Sequence, residues 1–383
     1  MKILYLSTPS FADCDIPLIR SLQKQGCDVT YLLLLAPHNL KYTIIDIDRI
    51  FPKTGVFPAH IYPGLNMFQE YIDMEKFYVA TRTSDKSYSL SYLKKTLSIW
   101  KFIRENDFDV VHTTCLFGLR RLLFYFLGKK IITTIHDPFP HTGENNIMSY
   151  FHRKLAVKFS SGIVLLNEKQ KDDFCNEYKV EPEKILVSSL GVYENISLLA
   201  SDMVEKKTDN VLFFGRISPY KGIEYLCEAM QLVRKEIKDA TLTIAGSGNL
   251  YFDITPYLSQ GYIEIHNRFI RIDEVATMLK QCSLCACPYT DATQSGVIMT
   301  SFALGKPVVA SDVGGLSEVI ENEKSGLLVE PRNPEALAGA IIKLLKNPSI
   351  LERMEDYIRS TYYSGERSWH NIAEAYMSLY NRM

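Results

Sequence analysis

Residues 211 to 226 read VLFFGRISPYKGIEYL. An apolar run of strand character ends at Gly215, a polar turn carries Arg216 and Lys221, and helical spacing begins near Gly222. A strand that passes through a glycine turn into a helix is the opening unit of a parallel sheet covered by helices. The turn also lets two cations and a helix N-terminus converge on one anion, as a diphosphate grip requires. The next strand ends in AGSGNLY, where Gly246 and its small neighbours let backbone approach a ligand. Tyr251 stands where a dinucleotide fingerprint needs its third glycine, so that fingerprint is incomplete.

Outward from this unit the same rhythm fills both halves of the chain. KILYLS, DVTYLLLL, DVVHTT, IITTIHD, GIVLLN and KILVSSL precede it, and YIEIHNR, LCACPY, PVVAS and GLLVEP follow. The fold class expected is α/β, with two doubly wound Rossmann-like domains whose strand ends face each other across a cleft. The first spans 1–192, a polar and charged linker spans 193–209, and the second spans 210–362. A closing segment, 363–383, repeats apolar residues at helical spacing and is expected to pack back toward the first domain. Residues 36 to 92, rich in Tyr, Phe and Pro, show no clear strand and suggest a variable, partner-facing insertion.

Residues 290 to 312, TDATQSGVIMTSFALGKPVVASD, supply a second wall for an anion. Gln294, Ser295, Gly296 and Val297 precede and open a helix, so their backbone N–H groups can point at the ligand held by Arg216 and Lys221. Asp291 is the one acid in that stretch.

Composition narrows the rest. A chain of 383 residues with 46% hydrophobic content suits two domains. Met1-Lys2 runs directly into ILYLST without a charged-then-apolar leader, and no apolar run approaches the ~18 residues that span a bilayer, so a cytoplasmic location is expected. Eight cysteines, most within apolar patterns, suggest reduced buried thiols. Cys282, Cys285 and Cys287 could begin a zinc site, but no second Cys or His pair follows, and no essential metal or other cofactor is expected. A net charge of −1 leaves no nucleic-acid footprint. The run from Leu116 to Lys130, with Arg120, Arg121, Lys129 and Lys130 among apolar bulk, suits either peripheral contact with an anionic membrane or an ordinary half-buried helix.

VLFFGRISPYKGIEYL, LTIAGSG, the stretch from Gly296 to Pro331 and the closing SWHNIAEAYMSLY together resemble the retaining nucleotide-sugar glycosyltransferases of family 4, which have the GT-B fold. The first domain shares the likeness more loosely, through VVHTT, TIHD and VLLN. The resemblance implies transfer of a sugar from a UDP- or GDP-sugar to a glycan or lipid-linked acceptor, as in bacterial surface polysaccharide assembly at the cytoplasmic face of the inner membrane. It assigns the donor diphosphate to Arg216 and Lys221, sugar hydroxyls and phosphate to the backbone of Gln294 to Val297, and the base to main chain at Phe269 and Ile270. It brings His136, at the end of TIHD, to the donor sugar.

One departure is plain. The family's pair of glutamates, seven residues apart, would fall on Ala292 and Thr300. Asp291, one residue early, could reach the first role, and the Thr300 hydroxyl could serve the ribose.

Three Asp-x-Asp triplets suggest a metal-dependent transferase, but none follows a strand as such a site requires. Asp15 is expected to cap the helix IPLIRSLQ, Asp46 and Asp48 fall in the irregular insertion, and Asp107 and Asp109 precede a strand as loop residues. Asp13 follows the first strand and is kept as an acceptor-side residue. Two rivals remain: a catalytically impaired GT-B binding or scaffold subunit, which the missing carboxylates favour, and a nicotinamide oxidoreductase, which the incomplete glycine fingerprint disfavours.

Overall fold

A computed structural model of the 383-residue chain describes every residue except 43, 49–52, 87, 115–123, 125–127, 140–146, 200–203 and 293–294. The chain divides into two compact units, Met1–Ser189 with Trp369–Met383, and Leu190–Ser368.

The first unit opens with β1 (Lys2–Ser7), α1 (Ala12–Lys24) and β2 (Asp28–Leu34), followed by the small hairpin of β3 (Lys41–Tyr42) and β4 (Ile45–Asp46). Then come β5 (Gly55–Pro58), β6 (Phe77–Thr81), α2 (Leu90–Glu105), β7 (Val110–Thr113) and β8 (Lys130–Ile135). α3 (Ile147–Phe159), β9 (Gly162–Leu165), α4 (Lys171–Tyr178) and β10 (Ile185–Val187) complete the alternation. One eight-stranded sheet runs β10-β9-β8-β7-β1-β2-β6-β5, parallel except where β5 pairs antiparallel with β6. Ile3 to Leu6 and Val29 to Leu34 are almost wholly buried, Thr30 being the polar exception, because helices cover both faces of a parallel sheet.

The expectation that 36–92 lacks strands is corrected here. Phe77–Thr81 (FYVAT) is an aromatic and β-branched strand that pairs parallel with β2. Its partner β5 ends on Pro58, which only an edge strand tolerates, since proline has no N–H for a second neighbour. Short 3-10 turns around both strands hide them from a search for period.

The second unit is more regular. β11 (Asn210–Phe214), α5 (Ile223–Glu236), β12 (Thr241–Gly246), α6 (Thr255–Leu258), β13 (Ile263–Asn267), α7 (Ile272–Gln281) and β14 (Leu284–Cys287) come first. α8 (Gly296–Ala303), β15 (Val308–Ser311), α9 (Leu316–Val319), β16 (Gly326–Val329), α10 (Pro334–Leu345) and α11 (Pro348–Arg359) follow. Its six strands are all parallel, in the order β13-β12-β11-β14-β15-β16.

The chain's last helix, α12 (Trp369–Arg382), returns to the first unit, where it packs on α1. There the buried His112 of β7 is held at Nδ1 by the Tyr380 hydroxyl and at Nε2 by Thr134 Oγ1, both at 2.7 Å. Burial pushes this imidazole down to about 3, so it stays neutral in the core.

Residues 193–209 do not behave as a free linker where they are described. Tyr193 lies against Gly296, Glu194–Leu199 forms a 3-10 helix with Asn195 and Ile196 buried, and the Lys207 N–H donates to Gln281 O at 3.0 Å. The polar composition that suggests a linker belongs to a segment laid over α7 and α8.

Candidate functional site

In the second unit the strand order reverses between β11 and β14, and a parallel sheet offers its ligand crevice at the carboxyl ends on either side of such a reversal. The turns at those ends are held together by glycines. A Cβ on Gly246 would stand 1.7 Å from Gly215 O, and one on Gly222, at φ +63°, would stand 2.0 Å from Pro288 O. Gly215 N donates to Ala245 O, Ile217 N to Ser247 O and Thr290 N to Tyr220 O, at 2.9, 2.9 and 2.8 Å. The turns after β11, β12 and β14 therefore form one scaffold. Val297, in the first turn of α8, comes within 3.5 Å of where a Gly215 Cβ would lie.

Arg216 and Lys221 stand on this scaffold. Arg216 is exposed, while Lys221 is sunk between two rings, its Nζ 3.7 Å from the Tyr289 ring centre and 5.0 Å from that of Tyr220. Burial lowers the ammonium to about 8; the nearby Arg216 charge pushes the same way, and Cys287 opposes it. Among the described residues neither cation has a carboxylate within ion-pair reach.

The helix ends divide differently from the sequence expectation. At α5 the first N–H, of Ile223, donates to the Tyr251 hydroxyl at 2.9 Å, and that hydroxyl donates to Glu224. Tyr251, which spoils the dinucleotide fingerprint, thus caps α5 and occupies an N–H that an anion would need. At α8 the Ser295 side chain makes no capping hydrogen bond, and the N–H groups of Gly296 and Val297 open the helix with no intrahelical acceptor in reach. Ser295 Oγ and Ser218 Oγ are buried without a well-formed hydrogen bond, as is the Tyr289 hydroxyl on which Lys221 rests. Ser295 and Tyr289 lie close enough to share a weak bond, while Ser218 Oγ keeps bonding capacity that a ligand can complete.

Thr300 does not fit the ribose role as expected. Its hydroxyl donates to Gly296 O at 2.7 Å and the residue is buried, so the proton is committed to its own helix. Ala292, the other place of the absent glutamate pair, is buried with its carbonyl beneath Gly314. Asp291 is half-buried, and Gln294 lies outside the described residues.

Phe269 and Ile270 follow β13 on a loop braced from both sides. Arg268 grips Glu274 through two bonds of 3.0 and 2.6 Å and donates to Phe269 O, while its own N–H donates to Gly246 O. The Arg268 guanidinium holds the Glu274 carboxyl down at about 2. The Asn267 amide joins the two loops by donating to Gly248 O and accepting from Gly248 N. Phe269 itself is exposed, on a loop linked directly to the Gly246 turn.

In the first unit, His136 sits just beyond β8 with Phe11 stacked on it at 4.0 Å. Its Nε2 is buried without a partner, and burial holds the imidazole down at about 4 although Asp137 pulls the other way. Cys14 Sγ, an Asp15 carboxylate oxygen and a His136 ring nitrogen lie within 4.8 Å of one another. Asp13 is buried in the first turn of α1.

Asp15 is not a helix cap. α1 begins at Ala12, earlier than the sequence suggests, which rotates Asp15 onto the buried face, where it accepts from Tyr5 Oη at 2.8 Å and Thr114 Oγ1 at 3.4 Å. Burial raises its carboxyl to about 7, partly countered by hydrogen bonds from Ser7, Tyr5 and Thr114. The unfolded chain releases this proton near the ordinary aspartate value of 3.8 and the folded protein holds it until about 7, so the penalty of burying Asp15 grows as pH rises through that window. Asp15→Asn is therefore expected to be more stabilising at pH 8 than at pH 5, by on the order of 2 kcal/mol. Thermal melts at the two pH values check this, and a larger benefit at pH 5 would reverse the assignment.

The other triplets are local structure: Lys41 pairs with Asp46 and Asp48, Lys129 with Asp107, and the Lys2 backbone N–H donates to Asp109. Cys282, Cys285 and Cys287 are buried, and burial pushes the Cys287 thiol up to about 11. The basic run from Leu116 falls largely outside the described residues, though Phe124 within it is buried.

The model of Glycosyltransferase Family 4 matches residues 17–194, and that of Glycosyl transferases group 1 matches residues 208–347. An uncharacterized glycosyltransferase of Methanocaldococcus jannaschii is 28% identical over 240 residues, 59% of this chain and 61% of that one. The Escherichia coli UDP-Gal:alpha-D-GlcNAc-diphosphoundecaprenol alpha-1,3-galactosyltransferase is 23% identical over 320 residues, 77% and 81% of the two chains. Anabaena HepE, solved in complex with UDP, superposes with a TM-score of 0.67 at 16% identity over the whole of both chains. Such a likeness assigns the fold, GT-B.

Proposed function

We propose that this chain, whose two halves match the models Glycosyltransferase Family 4 and Glycosyl transferases group 1, is a retaining enzyme moving a sugar from a UDP- or GDP-sugar to a glycan or lipid-linked acceptor in bacterial surface polysaccharide assembly. The observation that carries this reading is the Arg216–Lys221 turn, where two neighbouring cations have no carboxylate partner among the described residues and lie beside the uncapped start of α8. A diphosphate supplies the missing negative charge. The names of the relatives favour UDP: the E. coli enzyme takes UDP-Gal, and HepE was solved with UDP. The same E. coli name supports a lipid diphosphate acceptor.

In this reading residues 210–362 hold the donor and residues 1–192 serve the acceptor. The bond from the anomeric carbon to the diphosphate oxygen breaks with its electron pair on that oxygen. The acceptor oxygen then bonds to the same face of the sugar and gives its proton to the departing diphosphate. Arg216, Lys221 and the N–H groups of Gly296 and Val297 stabilise the charge that grows on the leaving group, so the step needs neither a protein nucleophile nor a metal. His136, held neutral by burial, is suited to hydrogen-bond a sugar hydroxyl rather than to carry charge. Asp291 is the acid left to act near the donor sugar.

A scaffold role is the second reading, favoured by the alanine and the helix-bound threonine at positions 292 and 300. A thermal-shift panel of UDP, GDP and NAD tests the binding half: stabilisation by UDP or GDP is expected, and a response to NAD alone would overturn it. Release of nucleotide from one sugar donor in a screen of UDP- and GDP-sugars then separates enzyme from scaffold. Nucleotide binding without any turnover, across donors and acceptors, favours the scaffold.

A further inference from the structure

Helix α2 carries two faces of different character. Inward, Thr96, Ile99 and Ile103 are buried, and Lys95 lays its stem in the core and donates its ammonium to Leu35 O at 2.8 Å. Outward, Leu90, Leu93 and Leu97 are 66%, 52% and 48% exposed, and Tyr88, just ahead of the N-cap Ser89, is 92% exposed. Lys94, Lys101 and Arg104 are exposed as well. At helical spacing these leucines and cations share an arc of roughly 100°.

An ordinary solvated helix face is polar along its length. Here the first turns present a leucine stripe and the last turns present cations. The helix LSYLKKTLSIWKFIRE contains one acid, Glu105, which pairs with Lys101 at 3.5 Å, against Lys94, Lys95, Lys101 and Arg104. Trp100, half-buried against the core, lies under Arg104 at 4.6 Å and borders the stripe on its inner side. An apolar stripe edged by cations complements a surface that is apolar within and anionic at its rim. A second copy of the same face would set like charges against each other.

We propose that the outward face of α2 docks the protein on an anionic phospholipid surface. Leu90, Leu93 and Leu97 enter the boundary between headgroups and acyl chains, and Lys94, Lys101 and Arg104 lie against lipid phosphates. This surface does not depend on the reaction proposed above.

Sedimentation of the full chain with vesicles tests it, using phosphatidylcholine alone and phosphatidylcholine mixed with phosphatidylglycerol. Wild type is expected to bind the mixed vesicles, to be released by salt, and to ignore the neutral ones. Leu93→Glu/Leu97→Glu is expected to lower partitioning at least about 100-fold. Lys94→Gln/Lys101→Gln is expected to lower it roughly 10- to 30-fold. Circular dichroism melts establish that each variant is folded, and if the leucine pair is not, the lysine pair decides. Equal binding to neutral vesicles, no binding to either kind, or variants that sediment like wild type would each overturn the proposal. So would a fall in hydrodynamic mass in Leu93→Glu/Leu97→Glu, which would give the face to another copy of the chain.

Discussion

Arg216→Ala/Lys221→Ala is expected to weaken UDP binding by about 100- to 10,000-fold, since each side chain offers a charge-assisted hydrogen bond of ~1.5 to 3 kcal/mol. Both residues lie on a turn whose shape is set by Gly215, Gly222 and backbone hydrogen bonds, so the variant should keep its fold. The Lys221 share should depend on pH. In the free protein its ammonium titrates at about 8, because burial beside Tyr289 disfavours the charge, and a bound diphosphate must raise that value. Lys221→Ala alone should therefore cost more affinity at pH 7 than at pH 9, where binding first requires protonation. Calorimetric titration with UDP checks both statements. Unchanged binding by the double variant would remove these cations from the donor site and with them the proposed mechanism.

Gly246→Ala should severely damage the second unit. The added carbon would lie 1.7 Å from Gly215 O and 2.7 Å from its carbonyl carbon, which are backbone atoms of the neighbouring strand's exit rather than the tip of a flexible side chain. β11 and β12 must part, at a cost of roughly 2 to 4 kcal/mol. Protein that remains folded should also bind UDP poorly, because Arg216 follows directly on the displaced Gly215. Gly339→Ala provides the contrast: it lies within α10 with nothing inside 4 Å, so it should be neutral or stabilise by up to ~1 kcal/mol. Urea unfolding of the two variants checks the pair, and equal midpoints would show that the turn yields easily.

Much of the fold was legible because it is local. The runs from KILYLS to GLLVEP declare themselves by apolar, β-branched composition between glycine turns, and twelve of them appear as strands of the two sheets. FYVAT was missed although its composition is equally strand-like, since prolines and short 3-10 turns break the rhythm around it. The reading of 193–209 as a linker failed for a related reason. Polarity along that segment reports exposure of individual side chains, not whether Asn195 and Ile196 turn inward onto a neighbouring helix.

The site was legible in its charges and not in its partners. Arg216 and Lys221 follow from a strand-turn-helix unit whose spacing is readable in sixteen letters, and Ser295 to Val297 follow from an apolar helix preceded by small polar residues. Tyr251 and Tyr289 carried no such signal. Tyr251 was read only as a glycine that is not there, yet it bonds the first N–H of α5 and Glu224, both far from it in sequence.

By itself, then, the sequence determined two parallel α/β sheets, the pair of cations at the end of β11 and the absence of acids at positions 292 and 300, because these depend on residue type and short-range period. Only the tertiary structure decided that Thr300 turns its hydroxyl into its own helix, that Asp15 holds a proton to about pH 7 and that Lys221 lies on Tyr289. A hydroxyl's partner and a charge's solvation are set by which distant segments close around them, and spacing along the chain does not encode that closure.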